Sequence, residues 1–597
     1  MVGDTLRVKR FSDLLPTREA VVEAIVPARR IRRRELPADF SALAAEPPLL
    51  QRIYAARGIA DRSQLGLTLD RLLPVGSLEG VEAAAALLAR HRAGRILVIG
   101  DFDADGATST ALMLRALRAW GFSGTDFLVP DRFRFGYGLT PGIVELAAGR
   151  EPSLIVTVDN GISSVAGVAR ARELGIGVLV TDHHLPGAEL PAAEVIVNPN
   201  LPGSRFGSRA LAGVGVAFYV MVALRRHLEM QGLLPAGAMP VAELLDLVAL
   251  GTVADLVPLD ANNRVLVAQG LRRIREGRCV PGIRALLELA GRAPAGIVAA
   301  DLGFAVAPRL NAAGRLDDMS IGIACLLATD LDTARVEAAR LDELNRMRRQ
   351  IEADMQALAL VAVKDIDLPQ RGPRRHGLCL FNAGWHQGVV GLVASRVKER
   401  VRRPVIAFAR ADDGTLRGSA RSVTGVHVRD VLDAVATREP DLIARFGGHA
   451  MAAGLTIAEG ELDRFARAFD EEVARWTAKE PLDDSIPSDG ELEEPQFSLE
   501  TAQLLREAGP WGQAFPEPSF DGDFDVLRAS VVGERHVKLQ LRPQASRAAF
   551  DAIAFNYLDD EKRAPPGGRV RLVYRLDINE YRGERRLQLL IDHLQPL

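Results

Sequence analysis

The sequence predicts an α/β protein: a parallel-sheet domain, a long connecting helix, a second α/β domain and a C-terminal β-barrel. Three observations carry this. From about Ala83 onward, short apolar runs alternate with helix-length amphipathic segments, the pattern of βαβ units in a parallel sheet. A single helical stretch, about Thr333–Lys364, separates two such blocks and suits a rigid spacer. Beyond the turn-rich, acidic stretch Pro481-Leu-Asp-Asp-Ser-Ile-Pro487 the pattern changes to short strands punctuated by Gly and Pro. A chain of 597 residues exceeds what one core serves, so several domains are expected.

The expected division is an N-terminal extension (1–80), a first α/β domain (81–330), a connecting helix (331–365), a second α/β domain (366–478) and the barrel (479–597). The extension carries Arg29, Arg30, Arg32, Arg33 and Arg34, either a solvated arm or a nucleic-acid contact. In the first domain, strand-like Arg95–Ile99 leads into helix-like Ala107–Trp120, and Leu154–Val158 into Ser164–Leu174. Gly177–Val180 and Val195–Val197 supply further strands, and Leu211–Gln231 and Val241–Val257 read as long helices covering the sheet. The connecting helix is apolar at Ala334, Ala338, Leu341, Leu344, Ile351 and Met355 and charged on its other faces. In the second domain Gly377–Phe381 and Val405–Phe408 read as strands, Val389–Arg400 and Val428–Val435 as helices. The last block gives strands at Ser530–Val532, Val537–Leu541, Ala552–Phe555, Val570–Tyr574 and Leu587–Ile591, which fit an OB-fold.

Composition narrows the function classes. Apolar content of 48% with 25% charged residues describes an ordinary globular protein. A net charge of −3 supplies no global basic field, so any nucleic-acid surface is a local patch. Cys279, Cys325 and Cys379 match no zinc or disulfide spacing, which fits a reducing cytosol. No signal peptide and no run of about 18 apolar residues is evident, so a cytoplasmic location is expected.

The chemistry concentrates where strands end. Asp101-Phe-Asp103-Ala-Asp105-Gly106 follows Ile96–Ile99, Asp159-Asn-Gly follows Leu154–Val158, and Asp182-His183-His184 follows Gly177–Val180; Asp255 closes Gly251-Thr-Val-Ala-Asp255. In an open parallel sheet the carboxyl ends of the strands share one edge, where ligands bind. Carboxylates with imidazole at that edge suit a pair of divalent ions, Mn²⁺ or Mg²⁺, of the kind that drives in-line displacement at phosphorus. An EF-hand reading of the first cluster fails, because a strand precedes it and Leu112 stands at the twelfth position. Helix capping accounts for one aspartate there, not three. On an extended segment His183 and His184 would point to opposite sides, one toward metal and the other toward substrate.

In order and wording these clusters resemble the DHH phosphoesterase superfamily, and its branch of single-strand-specific DNA exonucleases in particular. The resemblance runs from about Arg95 to the C-terminus. It implies Asp103, Asp105, Asp159, His183 and Asp255 as metal ligands, with Asp159 bridging both ions. It implies His184 beside the scissile phosphate, Asp101 as a supporting acidic residue and Arg315 as a further donor. Where some members carry a His four residues before the middle Asp, this chain has Ile99, which leaves one ion with fewer protein ligands. Pro308-Arg309-Leu-Asn311-Ala-Ala-Gly314-Arg315 resembles another motif of the family, offering Arg309, Asn311 and Arg315 to substrate. Gly384-Trp-His386-Gln-Gly388, Gly418-Ser419-Ala-Arg421 and Phe446-Gly447-Gly448-His449 resemble the DHH-associated substrate-binding domain, so His386, Ser419, Arg421, Gly447, Gly448 and His449 are substrate candidates.

The implied activity is two-metal hydrolysis of single-stranded DNA from the 5′ end, releasing 5′-mononucleotides in repair and recombination. The implied partners are single-stranded DNA, single-stranded-DNA-binding protein and a RecQ-type helicase, with a monomeric chain. One alternative is a DHH phosphodiesterase of short oligonucleotides or cyclic dinucleotides, against which the barrel argues. The other is a non-catalytic replication scaffold, which loss of ligands would mark. Tyr581, Arg582, Arg585 and Arg586 are the candidates for a strand-binding face on the barrel.

Overall fold

The computed structural model describes residues 29–131, 135–366, 375–479, 485–544, 546–559, 565–581 and 583–597. The chain divides into two compact units. One joins Arg33–Gln350 to Pro487–Leu597; the other is Ile351–Ile486 together with the first described residues up to Arg32. No single helix among the described residues is long and apolar enough to cross a membrane.

The first unit is built on a parallel sheet. In hydrogen-bonding order its strands are Gly124–Leu128, Arg95–Gly100, Leu154–Val158, Gly177–Thr181 and Val195–Val197. Both faces are buried, which is why the strands read as continuous apolar runs. Ile96 and Val98 pack with helix Gly213–Met230 on one face, while Leu97 and Ile99 pack with Ile143 and Val168 on the other. Ile99 is fully buried core. The chain crosses over between strands Arg95–Gly100 and Leu154–Val158, the topological switch point at which such sheets bind ligands. The stretch Val241–Val257 is a 3₁₀ turn, Val241–Leu244, followed by helix Leu245–Ala254.

The same unit contains a closed five-stranded barrel. Its strands run, around the barrel, Phe520–Val532, His536–Pro543, Phe550–Ala554, Glu584–Pro596 and Gly568–Tyr581, with one parallel pair between the third and the last in sequence. That is an OB-fold. Its first strand is much longer than the three residues expected from the sequence, because Asp521, Asp523 and Asp525 interrupt the apolar alternation. Arginines offset them: Asp521 is buried and accepts from Arg33 and Arg571. Arg33 and Arg34 of the basic cluster therefore serve structure, Arg34 lying 3.6 Å from Asp489. The buried Arg57 side chain forks onto both oxygens of Asp489 at 2.8 and 3.0 Å. Of the barrel-face candidates, Arg585 is engaged with Gln503 and Glu580, and Arg586 with Glu584. Arg582 and the side chain of Tyr581 lie outside the described residues.

Helix Leu331–Ile366 runs from the first unit into the second. The second unit carries a mixed sheet whose order is Arg445–Gly448, Ala452–Ala458, Thr415–Arg421, Val405–Arg410 and Leu378–Phe381. Its core gathers Phe408, Phe465 and Phe469.

Candidate functional site

At the carboxyl edge of the parallel sheet the four acidic clusters meet. Asp101 accepts from Phe102 N at 2.7 Å, and Asp103 caps helix Ala104–Ala119 by accepting from Asp105 N and Gly106 N, both at 3.0 Å. Asp105 is held by the first amides of helix Gly213–Met230, accepting from Gly213 N at 2.7 Å and Val214 N at 2.9 Å. Glycine is required at 213, since a Cβ there would lie 2.7 Å from Asp159. Asp159 sits at φ 60, a left-handed conformation that Asp tolerates and that functional sites retain. Asp255 follows helix Leu245–Ala254.

His183 Nε2 lies 3.1 Å from Asp159 Oδ1, 3.4 Å from Asp255 Oδ2 and 4.0 Å from Asp105 Oδ2. Three groups of donor atoms are close enough to hold an ion: Asp101 with Asp103 and Asp159; Asp105 with His183 and Asp255; and Asp159 with His183 and His184. Asp159 is thus shared between the Asp101 side and the histidine side. The two imidazoles do not point to opposite faces; their ring centroids are 4.5 Å apart. The expectation of an extended segment fails because Asp182 folds it. Its Oδ1 accepts from His183 N, His184 N and His184 Nδ1 at 2.7, 3.0 and 2.8 Å.

The chemistry of the donor set fits a pair of hard divalent cations. Burial, then Asp103, raises the Asp105 carboxyl to about 7. Burial, then Asp105 and Asp103, raises Asp159 and Asp255 well above the usual carboxylate range. Like charges this close cannot all ionise without positive charge among them. Asp159 Oδ1 is buried with no hydrogen-bond donor among the described residues, although it lies 3.1 Å from His183 Nε2. Oxygen ligands with one or two imidazoles suit Mn²⁺ or Mg²⁺.

Several supporting residues were not singled out by the sequence. Asn200 donates to His183 O at 2.7 Å and Asn198 to His184 O at 2.9 Å, fixing the double histidine from behind. Tyr137 donates to Asp159 O at 3.1 Å, and its ring packs edge-on against both Phe102 and His184. The Asn-Pro-Asn after Val195–Val197 was the available signal for the asparagines; Tyr137 had none.

The 308–315 motif forms most of helix Ala307–Leu316. Asn311 Oδ1 accepts from Ala104 N at 2.8 Å and so holds the aspartate loop. Gly314 lets the helix press on that loop, a Cβ there falling 1.7 Å from Phe102 O. Arg309 is buried on Asp342 at 2.9 Å and on Ala305 O, and Arg315 lies half-buried in the last turn. Partners that orient metal ligands typically contribute 10- to 100-fold to metal affinity or activity. Asn311→Ala is therefore expected to raise the Mn²⁺ concentration for half-maximal turnover, or lower turnover, by about that factor. An unchanged metal titration would show that the loop holds itself.

In the second unit the three glycine-rich motifs converge. Arg421 donates to Ser419 Oγ at 2.9 Å, and a Cβ on Gly391 would meet both side chains, at 2.8 and 2.9 Å. Gly391 opens helix Val390–Val401, so its amides and the guanidinium face one small space. Gly447 pairs with Gly454, which pairs with Ser419, so Gly447 and Ser419 flank one strand. His386 Nδ1 accepts from Gly388 N at 3.1 Å, and His449 N donates to Ala452 O at 2.8 Å.

Comparison with known proteins agrees with this layout. Family models match at 95–252 (DHH family, N-terminal domain), 375–475 (DHHA1 domain) and 488–593 (RecJ OB domain). The single-stranded-DNA-specific exonuclease RecJ of Salmonella typhimurium is 53% identical over 582 residues, covering 95% of this chain and 99% of the relative. That of Escherichia coli is 53% identical over 575 residues, with the same coverage. The crystal structure of Thermus thermophilus RecJ with Mn²⁺ superposes at a TM-score of 0.76 with 30% identity, covering 95% of this chain and 80% of that one. The same protein with Mg²⁺ gives 0.71 and 29%, covering 95% and 78%.

Proposed function

The chain belongs to the RecJ family of single-stranded-DNA-specific exonucleases, and from that premise we propose how its residues divide the work. It is a metal-dependent exonuclease that hydrolyses phosphodiester bonds in single-stranded DNA, with Mn²⁺ or Mg²⁺ as cofactor. The observation that supports the division of roles is the placement of Asp159 in two donor groups at once. Asp159 would serve both ions, Asp103, Asp105, His183 and Asp255 would complete the ligand set, and Asp101 would support it. When bound, the ions supply Lewis acidity and a water of lowered pKa for attack at phosphorus.

The chain's own groups set orientation and charge. Asp182 holds His184 through Nδ1, and its Nε2, 3.4 Å from the Tyr137 hydroxyl, is the edge assigned to the substrate phosphate. Burial alone would lower the His184 pKa, but the hydrogen bond and charge of Asp182, with Asp101 and Asp255, raise it to about 9. Cations on those carboxylates act in the opposite sense. Protonated, His184 is positioned as a donor to charge growing on the phosphate, with Arg315 as the second; neutral, with its proton on Nδ1 toward Asp182, its Nε2 only accepts.

Polarity comes from the second unit. Ser419, Arg421 and the helix start at Gly391 form an anion cradle for a 5′-phosphate, with His386, Gly447, Gly448 and His449 beside it, while Arg309, expected to face substrate, is instead buried on Asp342. Degradation then runs 5′ to 3′ and releases 5′-mononucleotides. The barrel holds the trailing strand by stacking and phosphate contacts. The chain acts as a cytoplasmic monomer in repair and recombination, beside single-stranded-DNA-binding protein and a RecQ-type helicase. Digestion of strands labelled at each end in turn tests the direction. Early release of label from the 5′ end alone, abolished by EDTA, supports it; early release from the 3′ end overturns it.

Arg421→Ala is expected to slow degradation of 5′-phosphorylated strands about 10- to 100-fold more than that of 5′-hydroxyl strands, the loss of one charge-assisted contact. Arg421→Lys restores only part, since it supplies charge without the guanidinium fork. Competition between the two substrates reads the difference, and an unchanged 5′-phosphate preference places the end-anchor elsewhere.

A further inference from the structure

Asp105 and Asp255 stand with His183 in one donor group, yet they are presented by two separate stretches of chain. Asp105 is cupped by the amides of Gly213 and Val214, at the end of the stretch 208–214. Asp255 opens the stretch 255–258, which leaves helix Leu245–Ala254 through a left-handed Leu256 (φ 59). Residues 208–212 and 255–258 belong to no helix or strand, so no regular backbone ladder sets the distance between them.

A side chain does so instead. Asn263, fully buried in the first turn of helix Ala261–Arg275, donates to Ala210 O at 2.7 Å and to Pro258 O at 2.9 Å. Both partners are carbonyl oxygens, which only accept, so the carboxamide turns its NH₂ to them and uses one hydrogen on each stretch. Its own oxygen is left buried with no donor among the described residues. Native cores rarely tolerate such an atom without a reason, and the cross-link at the amide end supplies one.

A second tie lies beside it. Ser208 Oγ donates to Asp260 Oδ2 at 2.6 Å, and Asp260 Oδ1 accepts from Asn263 N at 2.9 Å to cap the same helix. Ala210 stands three residues before Gly213, and Pro258 three after Asp255. Asn200 reaches the first stretch from the histidine side, donating to His183 O at 2.7 Å and to Arg209 O at 3.1 Å. All three residues of the donor group are thereby tied to the stretch 208–214.

We propose that Asn263, with Ser208 and Asp260, is a positioning clamp that sets the spacing of Asp105, His183 and Asp255 and so tunes the affinity for a divalent cation. It acts through the backbone of the stretches that present the ligands. The inference rests on the reading of those three residues as ligands of one cation.

The test is a titration of Mn²⁺ into the full-length, cation-free protein without DNA, with bound ion read from the loss of the free-ion electron paramagnetic resonance signal. Asn263→Ala is expected to weaken Mn²⁺ binding about 10-fold, the lower end of what partners that orient metal ligands contribute. Its turnover on single strands is expected to fall at low Mn²⁺ and to recover at excess Mn²⁺. Asn262→Ala controls for mere loss of stability. Asn262 is buried next to Asn263, but its Oδ1 accepts from Leu73 N and the Tyr219 hydroxyl, both at 3.0 Å and both outside the two stretches. That variant is expected to melt earlier yet keep native Mn²⁺ affinity. Ser208→Ala deletes a single oxygen from the same clamp, and it reads the same weakening where Asn263→Ala does not fold. Native Mn²⁺ affinity in Asn263→Ala, or in Ser208→Ala where only that variant folds, overturns the clamp, as does equal weakening in Asn262→Ala. An unsubstituted protein that binds no Mn²⁺ would instead overturn the ligand assignment on which the clamp rests.

Discussion

Asp159→Asn is expected to abolish turnover, by roughly 4 kcal/mol or more of transition-state stabilisation, at least three powers of ten. Asn suits the test better than Ala because residue 159 sits at φ 60, a conformation that Asn adopts readily and Ala resists. The amide keeps the shape and removes the charge that two donor groups share. Single-strand affinity is expected to persist within several-fold, because arginines and the barrel supply it. A second readout is independent of activity. In cation-free protein, neutralising one of several crowded buried carboxylates leaves the melting temperature unchanged or raises it. The rise in melting temperature that Mn²⁺ gives the native protein by binding the folded state is expected to shrink sharply. Near-normal cleavage at saturating Mn²⁺, or an undiminished Mn²⁺ shift, would remove Asp159 from the bridging role.

The largest expected stability effect lies far from the chemistry. Asp489 is buried and accepts from both nitrogens of the buried Arg57 guanidinium and from Ser519 N at 3.0 Å. Asp489→Ala leaves that guanidinium enclosed without its counter-charge, which costs about 3–5 kcal/mol. Arg57 also stacks over Trp511, 5.3 Å from its ring, so the indole reports the local loss. Thermal unfolding followed by fluorescence is expected to show a clearly lowered transition, while the double replacement Arg57→Met with Asp489→Leu recovers much of it. A loss below about 1 kcal/mol in the single variant would mean that water reaches the pair.

The parts of the fold that the sequence exposed are those with a strong period. Strands such as Leu154–Val158 are buried on both faces and read as unbroken apolar runs. Helix Leu331–Ile366 was legible within two residues at each end because its charged and apolar faces repeat over many turns. The first barrel strand was cut short because Asp521, Asp523 and Asp525 look like loop until Arg33 and Arg571 are seen to engage Asp521. The 308–315 motif was read as offering Arg309 and Arg315 to substrate; Pro308 suits a first helical turn, and Gly314 is there for close approach to Phe102.

The sequence by itself determined the α/β class, the four strand-end clusters and, through their wording, the kind of reaction. Those are local matters: apolar period sets the element, and carboxylates or imidazoles just beyond it are visible in a few residues. Only the tertiary structure decided that the two imidazoles lie side by side, since Asp182 bends the segment between them. It alone decided that Arg309 is held by Asp342 and that Asn311 serves the aspartate loop. It also placed the last barrel of the chain in one compact unit with the first sheet, through buried pairs such as Arg57 and Asp489. The physical reason is that a polar side chain is equally at home with water, a near neighbour or a distant partner, so packing chooses its partner, whether two positions away, as Asp182 and His184 are, or 432, as Arg57 and Asp489 are, and no local pattern records that choice.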